Sequence, residues 1–395
     1  MFRALAPVAA LLLSVVFLLM GNGLQTTLAP VRADVEGFSA MSLGLLGGGY
    51  YAGFGAGCLI GPLLLRRAGH IRVFAALVAV ASAAALIHPI FIDPYIWIGL
   101  RAVSGFCLAG LFMVIESWLN EKATNESRGV VFSTYLTINL TVVTIGQMLL
   151  LVDDVKAFSL FALTSILLSL AAVPLALTRS AQPTPPDLVS VRLWRLFKLS
   201  PVGVIGVAAV GLSNGAFWSL GPVFAQAAGG GPAAAATFMA TGAVAGAVCQ
   251  WPLGRASDKT DRRNIIVFAC VGAIVAGAFA FVAGSQSDGL RLSVAALFGG
   301  FALPMYALCA AHMNDMIEGD GFVEAAGGLL LTFAVGAMIG PVAASAVMSL
   351  LGPDGLFAFT AGIHTALLIF VVIRIRLRRT RPADLEDRTT FADSA

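Results

Sequence analysis

Apolar runs of about 20 residues, parted by short polar turns, follow one another along almost the whole chain. They fall near 6–30, 42–65, 72–92, 95–118, 129–152 and 157–178, then near 201–227, 232–253, 264–284, 291–311, 325–350 and 355–375. A helix of that length crosses a hydrocarbon core of roughly 30 Å. The pattern predicts an all-α membrane protein with 12 transmembrane helices in two groups of six. The expected divisions are 1–178 for the first bundle, 179–200 for a linker, 201–377 for the second bundle and 378–395 for a polar tail. Arg3 ahead of the first run imitates a secretory signal, but the run continues past Met20 for a full span and reads as the first helix.

Composition supports lipid as the solvent. With 58% hydrophobic residues and a mean hydropathy of +0.91, a soluble fold of this length could not hide its apolar side chains. A net charge of +3 supplies no basic field for nucleic acid. Cys58, Cys107, Cys249, Cys270 and Cys309 lie inside apolar runs with no C-x-x-C spacing, and His70, His88, His312 and His364 are scattered. No cofactor or metal is expected from them. A membrane-embedded enzyme would need a nucleophile–base pair or a metal cluster within the spans, and the sequence offers neither.

Basic residues set the orientation. If both termini are cytoplasmic, the outer loops hold only Arg32, Lys156 and Arg291 of the 24 Lys and Arg, and Arg101 lies within a span. Between the two groups, Gln182-Pro-Thr-Pro-Pro186 reads as an extended linker, and Val189–Phe197 as a short helix on the inner leaflet. The halves also repeat: Gly21-Asn22-Gly23 through Val31 aligns with Ser213-Asn214-Gly215 through Val223 at a constant offset of 192. A parallel repeat of six spans implies two pseudo-symmetric bundles.

Gly254 to Arg263 then stands out as a knot of charge between two spans, and reads as a tight aqueous turn. Its spacing, G-x-x-x-D-K-x-D-R-R, resembles the loop signature of the major facilitator superfamily, with Asp261 where the pattern prefers Gly. On the fourth helix, Leu100-Arg101 through Gly105 and Gly110 resembles the superfamily's L-R-x-x-x-G-x-x-x-x-G. Gly21-Asn-Gly-Leu-Gln25, Tyr50-Tyr-Ala-Gly-Phe54, Val114-Ile-Glu-Ser-Trp-Leu-Asn120 and Gln250-Trp-Pro-Leu-Gly254 resemble the bacterial YcaD-like branch. The first-half loop departs from the pattern, carrying Arg66 where Asp is usual, and Gly146-Gln147 on the fifth helix lacks the Gly-Pro of drug antiporters.

The resemblance implies a multi-pass protein of the bacterial inner membrane that moves a small solute by alternating access, with protons as the expected coupling ion and a monomer as the expected state. A facilitative uniporter and a non-transporting receptor or scaffold are the rival readings. Arg101 in a span costs about 2.5–3.5 kcal/mol on insertion scales, so it should face the bundle interior, either toward a polar ligand or as a structural arginine bonding helix-end carbonyls. With Asn22, Gln25, Thr26, Met113, Asn214, Trp218, Ser219 and Tyr306 it makes up the expected substrate cavity. Glu116, partly buried, is the expected proton carrier, with a carboxylate in a salt-bridge network at the cytoplasmic mouth as the other reading. Arg66, Arg67, Arg128, Asp258, Arg262, Arg263, Asp315, Glu318 and Glu324 form an expected cytoplasmic gate, with Arg66 and Arg67 latching onto the acidic residues.

Overall fold

The structure, a computed structural model, describes residues 8–123, 128–178, 183, 192–283, 287–317 and 321–377. Among them there are 14 helices and no strand. In the first half these are α1 (Ala9–Val35), α2 (Ala40–Ala68), α3 (His70–Ile87), α4 (Pro94–Lys122), α5 (Arg128–Met148) and α6 (Phe158–Ala176). A short α7 (Leu193–Leu199) precedes α8 (Pro201–Ala225), α9 (Gly231–Lys259), α10 (Arg262–Ala283), α11 (Asp288–Ala302), α12 (Met305–Asn314), α13 (Phe322–Leu351) and α14 (Gly355–Leu377). Gln182–Pro186, apart from Pro183, and the 378–395 tail lie outside the described residues.

Helix ends are written in the sequence. Asp93 accepts hydrogen bonds from the Tyr95 and Ile96 N–H groups, with Pro94 opening α4. Ser200 does the same for Gly203 ahead of α8, where Pro201 is the first residue. Among the described residues, eleven continuous helical runs are long and apolar enough to cross a membrane. One of them, Pro201–Lys259, has 59 residues, roughly twice what a bilayer needs. It breaks at Ala228 and Gly229, where φ reaches +93° at glycine and +62° at Gly231, so it makes two crossings and the total is twelve. The tenth crossing is itself interrupted at Leu303-Pro304, between α11 and α12.

One expectation needs correction. The knot at Gly254 is not a turn: α9 continues to Lys259, so Asp258 and Lys259 are helical and the turn shrinks to Thr260 and Asp261. Polar residues beyond the hydrocarbon can stay helical in water, which a hydropathy window does not register. Of the short helix expected over 189–197, residues 189–191 lie outside the described residues, and α7 covers Leu193–Leu199.

The chain divides into two compact units, Met1–Leu188 with Gly231–Ala240, and Val189–Gly230 with Thr241–Ala395. Within the first, α1 packs on α5 and α6, α2 on α4, and α3 on α4 and α6. Within the second, α8 packs on α13 and α14, and α10 on α14. In lipid, tight packing replaces the hydrophobic drive, and close backbone approach needs small residues. A Cβ on Gly53 would collide with the Ala102 carbonyl and one on Gly105 with that of Tyr50, so α2 and α4 meet backbone to backbone. The repeat extends to this level: a Cβ on Gly23 would stand 2.5 Å from the Val143 carbonyl oxygen, and one on Gly215, 192 residues later, 2.6 Å from Ala337 Cα.

Buried arginines close the loop ends. Arg32 donates from Nη1 to the Val155 carbonyl at 2.9 Å and pairs with Glu36 at 2.7 Å. Arg291 donates to the Ala228 carbonyl at 2.9 Å and pairs with Asp288. Arg32→Gln should cost about 1.5–3 kcal/mol, the loss of a charge-assisted hydrogen bond, read as a lower melting temperature of the purified protein in detergent. Gly53→Val should cost more than the about 1–3 kcal/mol typical of overpacking, because the clash is with backbone. Unchanged melting of Gly53→Val would contradict the α2–α4 contact.

Candidate substrate and coupling site

Arg101 stands on α4 two turns beyond the Asp93 cap and is 6% exposed. Its guanidinium carbon lies 4.4 Å from the centre of the Tyr50 ring on α2, a cation–π seat. Tyr51 meets Tyr50 edge to face at 5.2 Å. Arg101 Nη1 has no hydrogen-bond partner among the described residues. One turn further along α4, Ser104 accepts from Gln25 Nε2 of α1 at 3.5 Å and donates to the Leu100 carbonyl at 2.9 Å. Three helices thus bring Arg101, Tyr50, Gln25 and Ser104 into one polar layer beside the hydrophobic core of the first unit. Ser104 was readable in the sequence as the i+3 neighbour of Arg101 on the same helix face.

The other expected residues of this half are placed differently. Thr26 donates its hydroxyl back to the Asn22 and Gly23 carbonyls at 2.9 and 3.1 Å, so its proton is already committed within α1. Asn22 and Met113 are half-buried, and Met113 lies beside Gly61 of α2. Glu116 has an open side on α4, while the surrounding protein partly desolvates it, in keeping with the expected partial burial. It lies fifteen residues from Arg101, about 22 Å along the helix, and its charge acts on Cys58 of α2 and Tyr135 of α5. The structure does not bring Glu116 to the Arg101 layer.

The second unit has its own polar point. Asn214 on α8 is 4% exposed and donates from Nδ2 to the Ala302 carbonyl at 3.4 Å. That carbonyl sits at the end of α11, where Pro304 interrupts the hydrogen-bond ladder. Asn214 Oδ1 has no partner among the described residues. Trp218 follows one turn along α8 on the same face and is half-buried, as is Ser219. Tyr306, at the start of α12, sets its ring edge against Phe333 of α13 at 5.5 Å. His364, on α14, bonds the Thr360 carbonyl at 2.7 Å.

The charged residues form a network whose hub the sequence did not single out. Arg262, opening α10, donates from Nε to Asp315 at 2.7 Å and from Nη1 to Asp258 at 2.7 Å and Ser257 at 3.1 Å. Asp261 explains its own departure from the glycine pattern: its carboxylate accepts the Arg263 N–H at 3.0 Å, capping α10, and pairs with the Arg263 guanidinium at 2.6 Å. Glu324, in the first turn of α13, pairs with Arg195 of α7 at 2.9 Å. Two acids expected to receive Arg66 and Arg67, which are themselves exposed, are therefore engaged inside their own unit. Glu318 and the side chain of Arg128 lie outside the described residues.

Comparison with known proteins agrees with this construction. The family model for the Major Facilitator Superfamily matches residues 11–306. An uncharacterized MFS-type transporter of Yersinia enterocolitica, YE1530, is 23% identical over 373 residues, covering 93% of this chain and 95% of that one. The uncharacterized MFS-type transporter YcaD of Escherichia coli is 24% identical over 370 residues, with the same coverage. Among solved structures, the nucleoside transporter NupG superposes with a TM-score of 0.76 at 14% identity, covering 92% of this chain and 97% of that one. With twelve crossings, an interior arginine on the fourth and the family match over most of its length, the chain belongs to the major facilitator superfamily and is a multi-pass membrane transporter.

Proposed function

We propose that the protein is a secondary active transporter of the bacterial inner membrane, carrying a small solute by alternating access with protons as the coupling ion. The observation that carries this reading is the buried Arg101 guanidinium, seated on Tyr50 with Nη1 left without a partner among the described residues. A buried charged donor without an acceptor is costly, and a solute bearing a carboxylate, phosphate or several carbonyl oxygens would satisfy it. Gln25 and Ser104 border the same layer and add a neutral donor and acceptor. Asn22, Thr26 and Met113 are assigned to solute contact in the first unit, and Asn214, Trp218, Ser219 and Tyr306 to solute contact in the second.

Glu116 is the proton carrier in this scheme. It is a carboxylate on the same helix as Arg101, so protonation there and solute capture at Arg101 act on one rigid element. The Arg262–Asp258–Asp315 cluster, with Arg263, Glu324 and Glu318, is the gate element of the second unit, and Arg66, Arg67 and Arg128 are the gate residues of the first. Its side chains are partly exposed, so each pair contributes little by itself, but several together bias a two-state equilibrium.

Three measurements test this reading. In vesicles reconstituted with the protein and screened against anionic and acceptor-rich metabolites, Arg101→Gln should raise the apparent KM roughly 10- to 150-fold, the weight of about 1.5–3 kcal/mol from a charge-assisted hydrogen bond. Arg101→Lys should recover only part, since it keeps the charge without the fork. Glu116→Gln should abolish uphill accumulation driven by a pH gradient and leave solute exchange intact; an unaltered response to a pH jump excludes Glu116, and flux indifferent to any pH gradient makes the protein a uniporter. Asp315→Asn should slow turnover with little change in KM, and the charge swap of Arg262→Asp with Asp315→Arg should restore part of the rate. Absence of flux for every solute tried would leave a receptor or scaffold.

A further inference from the structure

An apolar groove of about 470 Å3 runs along the second unit, apart from both the polar point at Asn214 and the charged cluster at Arg262. Trp194 and Phe197 of α7 form its mouth, and Ala208 and Leu212 of α8 face Val335 and Ile339 of α13 along its length. Gly336 forms the floor, pressed against the Ala208 backbone. The hydroxyl in the wall, on Thr332, donates to the Gly328 carbonyl at 2.7 Å and so offers the groove no free proton. From Thr332 to Ile339 the groove is about 10 Å long at 1.5 Å per residue, against roughly 15 Å for one leaflet of a 30 Å hydrocarbon core. Val335 and Ile339 are 47% and 48% exposed, too open for side chains that belong to a packed core.

Charge surrounds the mouth on one side. Lys198 holds its Nζ 5.4 Å above the Trp194 ring, which stacks on Phe197 at 5.5 Å. Arg192 is exposed at the start of the same helix. Arg195 alone of the three is paired with an acid among the described residues, through Glu324, and that pair ties α7 to α13 across the end of the groove. Two cations unpaired with an acid among the described residues therefore flank the mouth, Arg192 next in sequence to Leu193 of its lining and Lys198 over the Trp194 ring. That order, from positive charge through aromatic ring to hydrocarbon wall, is complementary to an anionic phospholipid, from phosphate through glycerol to acyl chain.

We propose that the groove binds one anionic phospholipid, its acyl chain between α8 and α13 and its phosphate between Arg192 and Lys198. The lipid would complete the wall that Val335 and Ile339 leave open, and would anchor α7 to the leaflet it lies in. This site is separate from the transport reading and stands or falls without it.

Native mass spectrometry of the full chain, released from detergent and titrated with lipids, tests the assignment. The probes are phosphatidylglycerol, phosphatidylcholine with the same acyl chains, and glycerol phosphate without chains. The wild type should take up one phosphatidylglycerol in preference to phosphatidylcholine and should ignore glycerol phosphate. Arg192→Gln and Lys198→Gln should each weaken phosphatidylglycerol about fivefold, from about 1 kcal/mol per basic residue near a membrane surface, and leave phosphatidylcholine unchanged. Val335→Trp and Ile339→Trp, two independent fillings of the groove at exposed positions, should remove uptake of both lipids. Wild-type uptake by a tryptophan variant that elutes as a folded monomer overturns the proposal. So does competition by glycerol phosphate at the strength of the lipid, which makes the mouth a plain anion site, or equal uptake of the two lipids with no effect of either glutamine variant.

Discussion

Hydrocarbon offers no hydrogen bonds, so every carbonyl and N–H that leaves a helix within the membrane must find a partner in the protein. Much of this structure follows from that requirement. Long helices satisfy most of the backbone automatically, and three carbonyls at breaks and span ends are met by a particular side chain. Where Pro201–Lys259 breaks, Arg291 takes the Ala228 carbonyl. Where Pro304 interrupts the tenth crossing, Asn214 takes the Ala302 carbonyl. Where α5 turns toward α6, Arg32 takes the Val155 carbonyl. Two of these three are arginines at span ends, each with an acid three or four residues away to balance its charge.

Against this background Arg101 is different in kind. It is as buried as Arg32, yet it has no acid beside it among the described residues and rests on an aromatic face. A structural arginine in lipid is normally neutralised or bonded to carbonyls, as Arg32 and Arg291 are. The contrast within one chain is a stronger argument for a ligand than the burial of Arg101 alone. Glycine makes the layer possible, because Gly53 and Gly105 let α2 and α4 close up and bring Tyr50 under the guanidinium.

The fold was legible because lipid imposes a simple rule on composition, and twelve apolar windows survive any uncertainty about their ends. The interior position of Arg101 was legible for the same reason, since a charge in a span has few places to go. Less was legible where water returns. Hydropathy marks the hydrocarbon and not the helix, so α9 ran six residues beyond its expected end and turned Asp258 into a helical partner of Arg262, one turn apart across Thr260 and Asp261. Glu116 is partly desolvated, as its position in an apolar run suggested, but that one side of it is open could not be read from periodicity in a helix apolar nearly all round. Arg262 as a hub depended on Asp315, 53 residues away, and no local pattern encodes that meeting.

The break at Leu303-Pro304 also makes α12 a separate rod of ten residues, about 15 Å long. Asp315, held by Arg262, caps one end, and Tyr306 lies one residue from the other. Proline at 304 has no N–H to give to the Gly300 carbonyl, so the tenth crossing has one backbone bond fewer at this point and bends there more easily than an unbroken helix would.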